Sequence, residues 1–208
     1  MKKESTNKNN NIIKIILLGN TETGKTSLIN AYDGKDFAYQ SLSTIGSTFI
    51  KKEVKINDKV YNVQIWDTAG QEKYRSVNKI YIKGSQIVIF VYDVTNAKSF
   101  SDLSSFWVDY VEKILGNDAT IGVCGTKIDL DKVEVSTEEG KKFAEKIGAL
   151  FGETSSLQHP NGVIEFINQL VNKYISIHLN DNNQLKQTFN LNDNKKKIKN
   201  DNKGKGCC

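Results

Sequence analysis

Eight residues, Gly19-Asn20-Thr21-Glu22-Thr23-Gly24-Lys25-Thr26, constrain this chain more than any other stretch. They fit the pattern G-x-x-x-x-G-K-[ST]. The apolar run Ile12–Leu18 (IIKIILL) before them reads as a buried strand, and a helix near Lys25–Tyr32 follows. A strand, a tight loop and a helix N-terminus in that order make an anion cradle. Backbone N–H groups of the loop and of the first helical turn converge on one place and bind phosphate oxygens. The glycines let the backbone turn tightly and approach closely. Lys25 is expected to neutralise the β- and γ-phosphates, and the Thr26 hydroxyl to bind Mg²⁺. All of Gly19–Thr26, with Ser27 beside them, are therefore candidate nucleotide-binding residues. The loop alone does not choose between ATP and GTP, or between enzyme and switch.

Further apolar runs alternate with helical patterns, which predicts an α/β fold with a mostly parallel six-stranded sheet flanked by helices. Thr48–Ile56 and Val60–Trp66 read as strands joined by the turn Asn57-Asp58, and Gln86–Asp93, Thr120–Thr126 and Leu150–Glu153 as three more. Ser99–Leu115 carries Phe100, Leu103, Trp107, Tyr110, Val111 and Ile114 on one helical face. Ser136-x-x-Glu139 is a capping box opening a helix to about Ile147, and Asn161–His178 is the last periodic segment. Cys124 sits in an apolar strand and is expected to be a small core residue. The organisation read from this is a polar extension over 1–11, a nucleotide-binding domain over 12–178, and a disordered C-terminal tail over 179–208.

Charge is unevenly spread. The chain carries a net +5, and residues 179–208 hold seven Lys against three Asp, so most of the excess lies in the tail. A nearly neutral body argues against nucleic acid as a partner. The basic tail suits an anionic membrane surface, although a solvated, disordered end accounts for the same composition. The polar N-terminus does not look like a signal peptide, and no apolar run approaches the roughly 20 residues that span a bilayer. A cytosolic protein whose membrane attachment is added chemically is the expectation.

Two further motifs sharpen the reading. Trp66-Asp67-Thr68-Ala69-Gly70-Gln71-Glu72 follows the third strand. Asp67 can hold Mg²⁺ through water, Gly70 can offer its N–H to a γ-phosphate, and Gln71 can orient the attacking water. Strand ends often carry Asp, but that does not explain the whole string. Thr126-Lys127-Ile128-Asp129 ends a later strand on the same sheet edge. The Asp129 carboxylate can accept from guanine N1–H and the 2-amino group. Adenine offers no such pair. Lys127 can lay its stem against the base.

Together these residues resemble the Ras-like small GTPases, and the finer resemblance is to the Rab branch. IWDTAGQEKYRS, IYIKGS, VYDVTNAKSF and Ser43-Thr44-Ile45-Gly46 with Phe49 carry it, over about Ile12–Ile177. The resemblance implies two loops ordered by GTP, Lys35–Thr48, which includes the switch I threonine Thr44, and Gly70–Tyr81; Thr44 then contacts Mg²⁺ and the γ-phosphate only in the GTP state, so that Gln71, Lys25 and Thr44 form the catalytic set. It implies that Phe37 packs on the guanine. It implies an effector surface made of Ser41, Leu42, Ser43, Thr44, Ile45, Gly46, Ser47, Thr48, Phe49, Trp66 and Tyr81; a core role for the three aromatics is the other account. Glu153-Thr154-Ser155-Ser156 is similar to the family's ETSA segment, which makes Ser155 and Ser156 guanine contacts. Gly206-Cys207-Cys208 resembles the Rab ending that carries two geranylgeranyl groups.

Some residues depart from the family pattern. Thr126 replaces the commoner Asn, as in the Rho branch. Thr48 replaces an Asp of switch I, Ser156 and Leu157 alter the ETSA segment, and Thr21 and Glu22 stand where small residues are usual. The single Arg of the chain is Arg75, so switch I supplies no arginine finger. The resemblance implies a switch cycling between GTP and GDP that regulates vesicle and membrane trafficking. Its implied partners are an exchange factor, an activating protein, effectors and prenyl-binding escort proteins. Its implied place is the cytoplasmic face of a membrane, with a cytosolic pool. A nucleotide-locked adaptor and a general P-loop ATPase are the competing readings.

Overall fold

The apolar runs become the centre of one sheet. The computed structural model describes residues 11–37, 47–56, 58–68 and 75–178, with backbone alone at 47–48 and 75–78. Among these, the strands are β1 (Ile12–Leu18), β2 (Ser47–Ile56), β3 (Lys59–Thr68), β4 (Ile87–Asp93), β5 (Thr120–Thr126) and β6 (Leu150–Thr154). They form one sheet in the order β2-β3-β1-β4-β5-β6. β1 runs parallel to β3 and β4, β4 to β5, and β5 to β6, while β2 is antiparallel to β3. All seven residues of β4 (IVIFVYD) are buried. A parallel strand covered on both faces needs that continuous apolar character. β3, nearer the edge, instead alternates, with Tyr61, Val63 and Ile65 inward.

The helices are α1 (Lys25–Asp33), α2 (Arg75–Ile82), α3 (Ala97–Asp102), α4 (Val108–Leu115) and α5 (Thr137–Lys146), with α6 over residues 160–178. A π-helical turn, Leu103–Trp107, joins α3 to α4. The chain divides into two compact units, Met1–Val171 and Asn172–Cys208. In the second, residues 172–178 are described and helical, with the Tyr174 and His178 rings 4.2 Å apart. No helix among the described residues is long and apolar enough to cross a membrane.

The sequence-based elements recur here with three corrections. The helix expected from Ser99 begins at Ala97, because the Asn96 side chain caps it by accepting from the Ser99 N–H. That helix is not uniform, since the π turn widens it in the middle. The segment Gly70–Tyr81, expected to be a loop, is helical from Arg75, a run too short to show its periodicity. Residues 1–10 of the expected extension over 1–11, and the tail over 179–208, lie outside the described residues.

A core of Ile16, Leu18, Val88, Phe90, Leu103, Trp107 and Val123 packs helices against the sheet. Each such side chain contributes roughly 1.5–3 kcal/mol by leaving water. Because five strands run the same way, their C-terminal ends share one edge. Asp93 pairs in register with Thr126, and Thr126 with Thr154. The loops that follow these strands are therefore neighbours, as ligand sites of open parallel sheets require.

The capping box of α5 is complete: the Ser136 Oγ accepts from the Glu139 N–H at 3.3 Å, and the Glu139 carboxylate accepts from the Ser136 N–H at 2.9 Å. Ser136→Ala should lower the unfolding free energy by about 1 kcal/mol. In a urea titration this appears as a lower midpoint with an unchanged slope. An unchanged midpoint would show that the box contributes nothing.

Candidate functional site

The loop between β1 and α1 is built by steric exclusion and one buried charge. A Cβ on Gly19 would stand 2.1 Å from the Val91 carbonyl oxygen, so only glycine lets the loop leave β1 this close to β4. Gly24, with φ +85°, caps α1 without a side-chain hydrogen bond. The first helical turn thus keeps the donor character of an anion cradle. Lys25 is buried, and its Nζ donates to the Gly19 carbonyl at 3.1 Å and the Asn20 carbonyl at 2.6 Å. Desolvation lowers its pKa to about 8, opposed by the Asp67 carboxylate. Glu22 is exposed and takes a left-handed φ of +65°. A non-glycine residue there costs about 1–2 kcal/mol.

The first and second motifs meet at one contact. The Thr26 Oγ1 donates to Asp67 Oδ2 at 2.7 Å, and Asp67 is buried at the end of β3. A hydroxyl and one carboxylate form an all-oxygen donor set that suits Mg²⁺ completed by phosphates and water. No cluster of three His, Cys, Asp or Glu side chains able to hold a metal occurs among the described residues. Thr44, Gly70 and Gln71 lie outside them.

The third motif is tied to the first through its threonine. The Thr126 Oγ1 lies 2.8 Å from the Thr23 carbonyl and 2.9 Å from that of Tyr92. Its single proton is shared between the phosphate loop and β4. Lys127 takes a left-handed φ of +63°, and its Nζ pairs with Asp93 Oδ2 at 2.6 Å. Thr95 in turn donates to Asp93 Oδ1 through both its N–H and its hydroxyl. Asp129 follows, half-buried, at the same edge. The buried Ser155 Oγ accepts from the N–H groups of Leu157 and Gln158 and folds the β6 loop back, with Ser156 half-buried beside it. Phe37 is exposed after α1.

The three expected effector aromatics are joined through Trp66. Phe49 stacks on Trp66 with centroids 4.7 Å apart, and Trp66 lies 5.7 Å from Tyr81. Lys14 Nζ sits 5.0 Å from the Trp66 ring. Phe49 remains 51% exposed, so the cluster reaches the surface and is not plain core. Ser41–Gly46 and the terminal Cys207 and Cys208 lie outside the described residues, and Ser47 and Thr48 begin β2 as backbone. Cys124 is fully buried, as expected, and burial pushes its thiol up to about 12.

Asp93 and Thr95 belong to the site without having been singled out as site residues. The first could have been found, since a carboxylate closing the apolar run QIVIFVYD sits at the edge where the motifs gather.

With this geometry in place, comparison with known proteins is informative. A family model described as Ras family matches residues 14–176. The Ras-related protein Rab-2B of Dictyostelium discoideum is 42% identical over 146 residues, covering 70% of this chain and 72% of that protein. The Ras-related protein Rab-11B of the same organism is 38% identical over 184 residues, covering 88% of this chain and 83% of that protein.

The low pKa of Lys25 makes a prediction. A bound polyanion favours the ammonium, so above pH 8 binding must take up a proton that the free protein has released. The affinity for GDP should fall by up to about tenfold per pH unit as pH rises from 8 to 9.5. In Lys25→Arg, which stays charged, the slope should vanish. A flat wild-type profile would contradict this account of Lys25.

Proposed function

The chain belongs to the Ras family, whose members are GTPases, and we propose that it works as a Rab-type switch attached to the cytoplasmic face of a membrane. The observation that carries this reading is the 2.7 Å contact between Thr26 and Asp67, which joins the phosphate loop to the end of β3 beside Lys25. Thr26 and Thr44 would hold Mg²⁺ directly and Asp67 through water, and the ion would supply neutralisation of the charge that develops on the phosphates. Lys25, oriented by two loop carbonyls, stabilises the same charge. Gln71 orients the attacking water, and the Gly70 N–H binds the γ-phosphate. Asp129 reads the guanine edge, with Lys127 steadied beside it by Asp93 and with Phe37, Ser155 and Ser156 completing the base site.

GTP orders the segments Lys35–Thr48 and Gly70–Tyr81 through the γ-phosphate, and hydrolysis releases them. The contiguous Phe49, Trp66 and Tyr81 cluster then serves as the anchor that effectors read, since interfaces favour aromatic anchors. Cys207 and Cys208 carry prenyl groups. Two such chains give stable attachment where one is marginal, and the Lys-rich tail adds attraction to anionic lipid. Escort proteins sustain the cytosolic pool, and an exchange factor and an activating protein set the cycle. The kinship to Rab proteins supports a role in vesicle and membrane trafficking.

The single Arg of the chain, Arg75, lies outside switch I, so no finger is supplied there. Intrinsic hydrolysis should be slow, on the order of 10⁻⁴ to 10⁻³ s⁻¹ or below, with acceleration by an activating partner. Single-turnover hydrolysis of radiolabelled GTP by wild type and Gln71→Leu tests this, the variant being much slower still. A partner-free rate near roughly 10⁻² s⁻¹ would overturn the slow-switch reading. Equal, negligible hydrolysis by both proteins would favour a nucleotide-locked adaptor, with the strained Glu22 and its neighbour Thr21 as the cause.

A further inference from the structure

Asn20 of the phosphate loop is bound through both its main chain and its side chain, and the side-chain contacts lead out of the loop. Its carbonyl accepts from Lys25 Nζ at 2.6 Å and from the Thr23 hydroxyl at 3.0 Å. Its side-chain amide points to the helical segment over 97–115. There its Nδ2 donates to Asp102 Oδ2 at 2.7 Å, and its Oδ1 accepts from the Trp107 indole N–H at 3.2 Å. Both ends of the amide are thus gripped by two side chains of one helical segment. Asp102 is itself held by Lys98 through its other oxygen at 2.5 Å, and Trp107 is 4% exposed in the core.

Asp102 and Trp107 are five residues apart. In an α-helix five residues sweep about 500°, which leaves the two side chains about 140° apart. They could not both reach one small amide. The turn between them is π-helical: the Val108 N–H bonds to the Leu103 carbonyl, five residues back. That wider turn brings positions i and i+5 to the same face. The π turn and the double grip on Asn20 are therefore one feature.

We propose that Asp102 and Trp107 are positioning residues for the phosphate loop, acting through Asn20 to hold the Lys25 ammonium in place and so to set how long the nucleotide stays bound. The proposal rests on the reading of Gly19–Thr26 as the phosphate cradle. The route runs from the helix through the Asn20 side chain to its main-chain carbonyl, and from there to Lys25. Any partner that shifts the helix would loosen the cradle without touching the nucleotide.

The test is the rate of release of a fluorescent GDP analogue from the full chain. Trp107→Phe removes one neutral hydrogen bond and should speed release by about two- to tenfold, and Asn20→Ala and Asp102→Ala, which remove a bond to a carboxylate, should speed it at least as much. The double variant Asn20→Ala/Trp107→Phe should release no faster than Asn20→Ala alone, because the indole then has nothing to hold. A merely structural loss would instead multiply the two effects. Wild-type release from Asn20→Ala, or a double variant whose acceleration is the product of the singles, would overturn the proposal. Thermal melts separate folding from release; if Trp107→Phe does not fold, Asn20→Ala/Asp102→Ala replaces it in the cycle, both positions being partly exposed. Lys25→Ala is the control. If it retains GDP as wild type does, the cradle reading has failed, and not the grip on Asn20.

Discussion

A buried ammonium organises this protein. Lys25 could not be placed where it is unless its charge were met, since an isolated buried cation costs several kcal/mol. The carbonyls of Gly19 and Asn20 meet it, and they can do so only because the loop folds back on itself. That fold in turn requires glycine at 19, where a side chain would collide with the Val91 carbonyl. The compensation is partial, which is why the Lys25 pKa falls to about 8. A polyanion completes what the carbonyls begin. The site is thus built to be more comfortable with phosphate than without it.

Everything else at the sheet edge is tied to that loop. Thr26 reaches Asp67 on β3, and Thr126 reaches the Thr23 carbonyl from β5. Asn20 reaches the helical segment over 97–115. Three parts of the chain far apart in sequence therefore converge on eight residues. A parallel sheet makes this possible, since it delivers its strand ends to one side. Thr126, where the family commonly has Asn, makes its tie through a hydroxyl that sits between two carbonyls.

Much of this was legible in the sequence. The strands β1 and β5 have the bounds their apolar runs suggest, and the three motifs announce themselves by residue type and spacing. The capping box at Ser136 and the burial of Cys124 follow from local rules. What could not be read depends on tertiary approach. Asp93 gains its meaning from Lys127, which folds onto it only because the backbone at Lys127 turns left-handed. The π turn at Leu103–Trp107 is invisible to an apolar periodicity that drifts by a single residue. Helix α2 could not be read because its eight residues are too few to reveal a period.

The central claim is that these convergent loops select guanine as well as phosphate. The most direct measurement is competition for bound radiolabelled GDP by GTP, ATP and xanthosine triphosphate, on wild type and Asp129→Asn. The account predicts that GTP displaces the label from wild type and that ATP does not at about a thousandfold excess, since adenine leaves the carboxylate unpaired. It predicts that Asp129→Asn, which replaces two acceptors by an acceptor and a donor, shifts the preference toward xanthosine triphosphate, whose 2-oxo group needs that donor. Effective displacement by ATP, or an unaltered preference in Asp129→Asn, would contradict it.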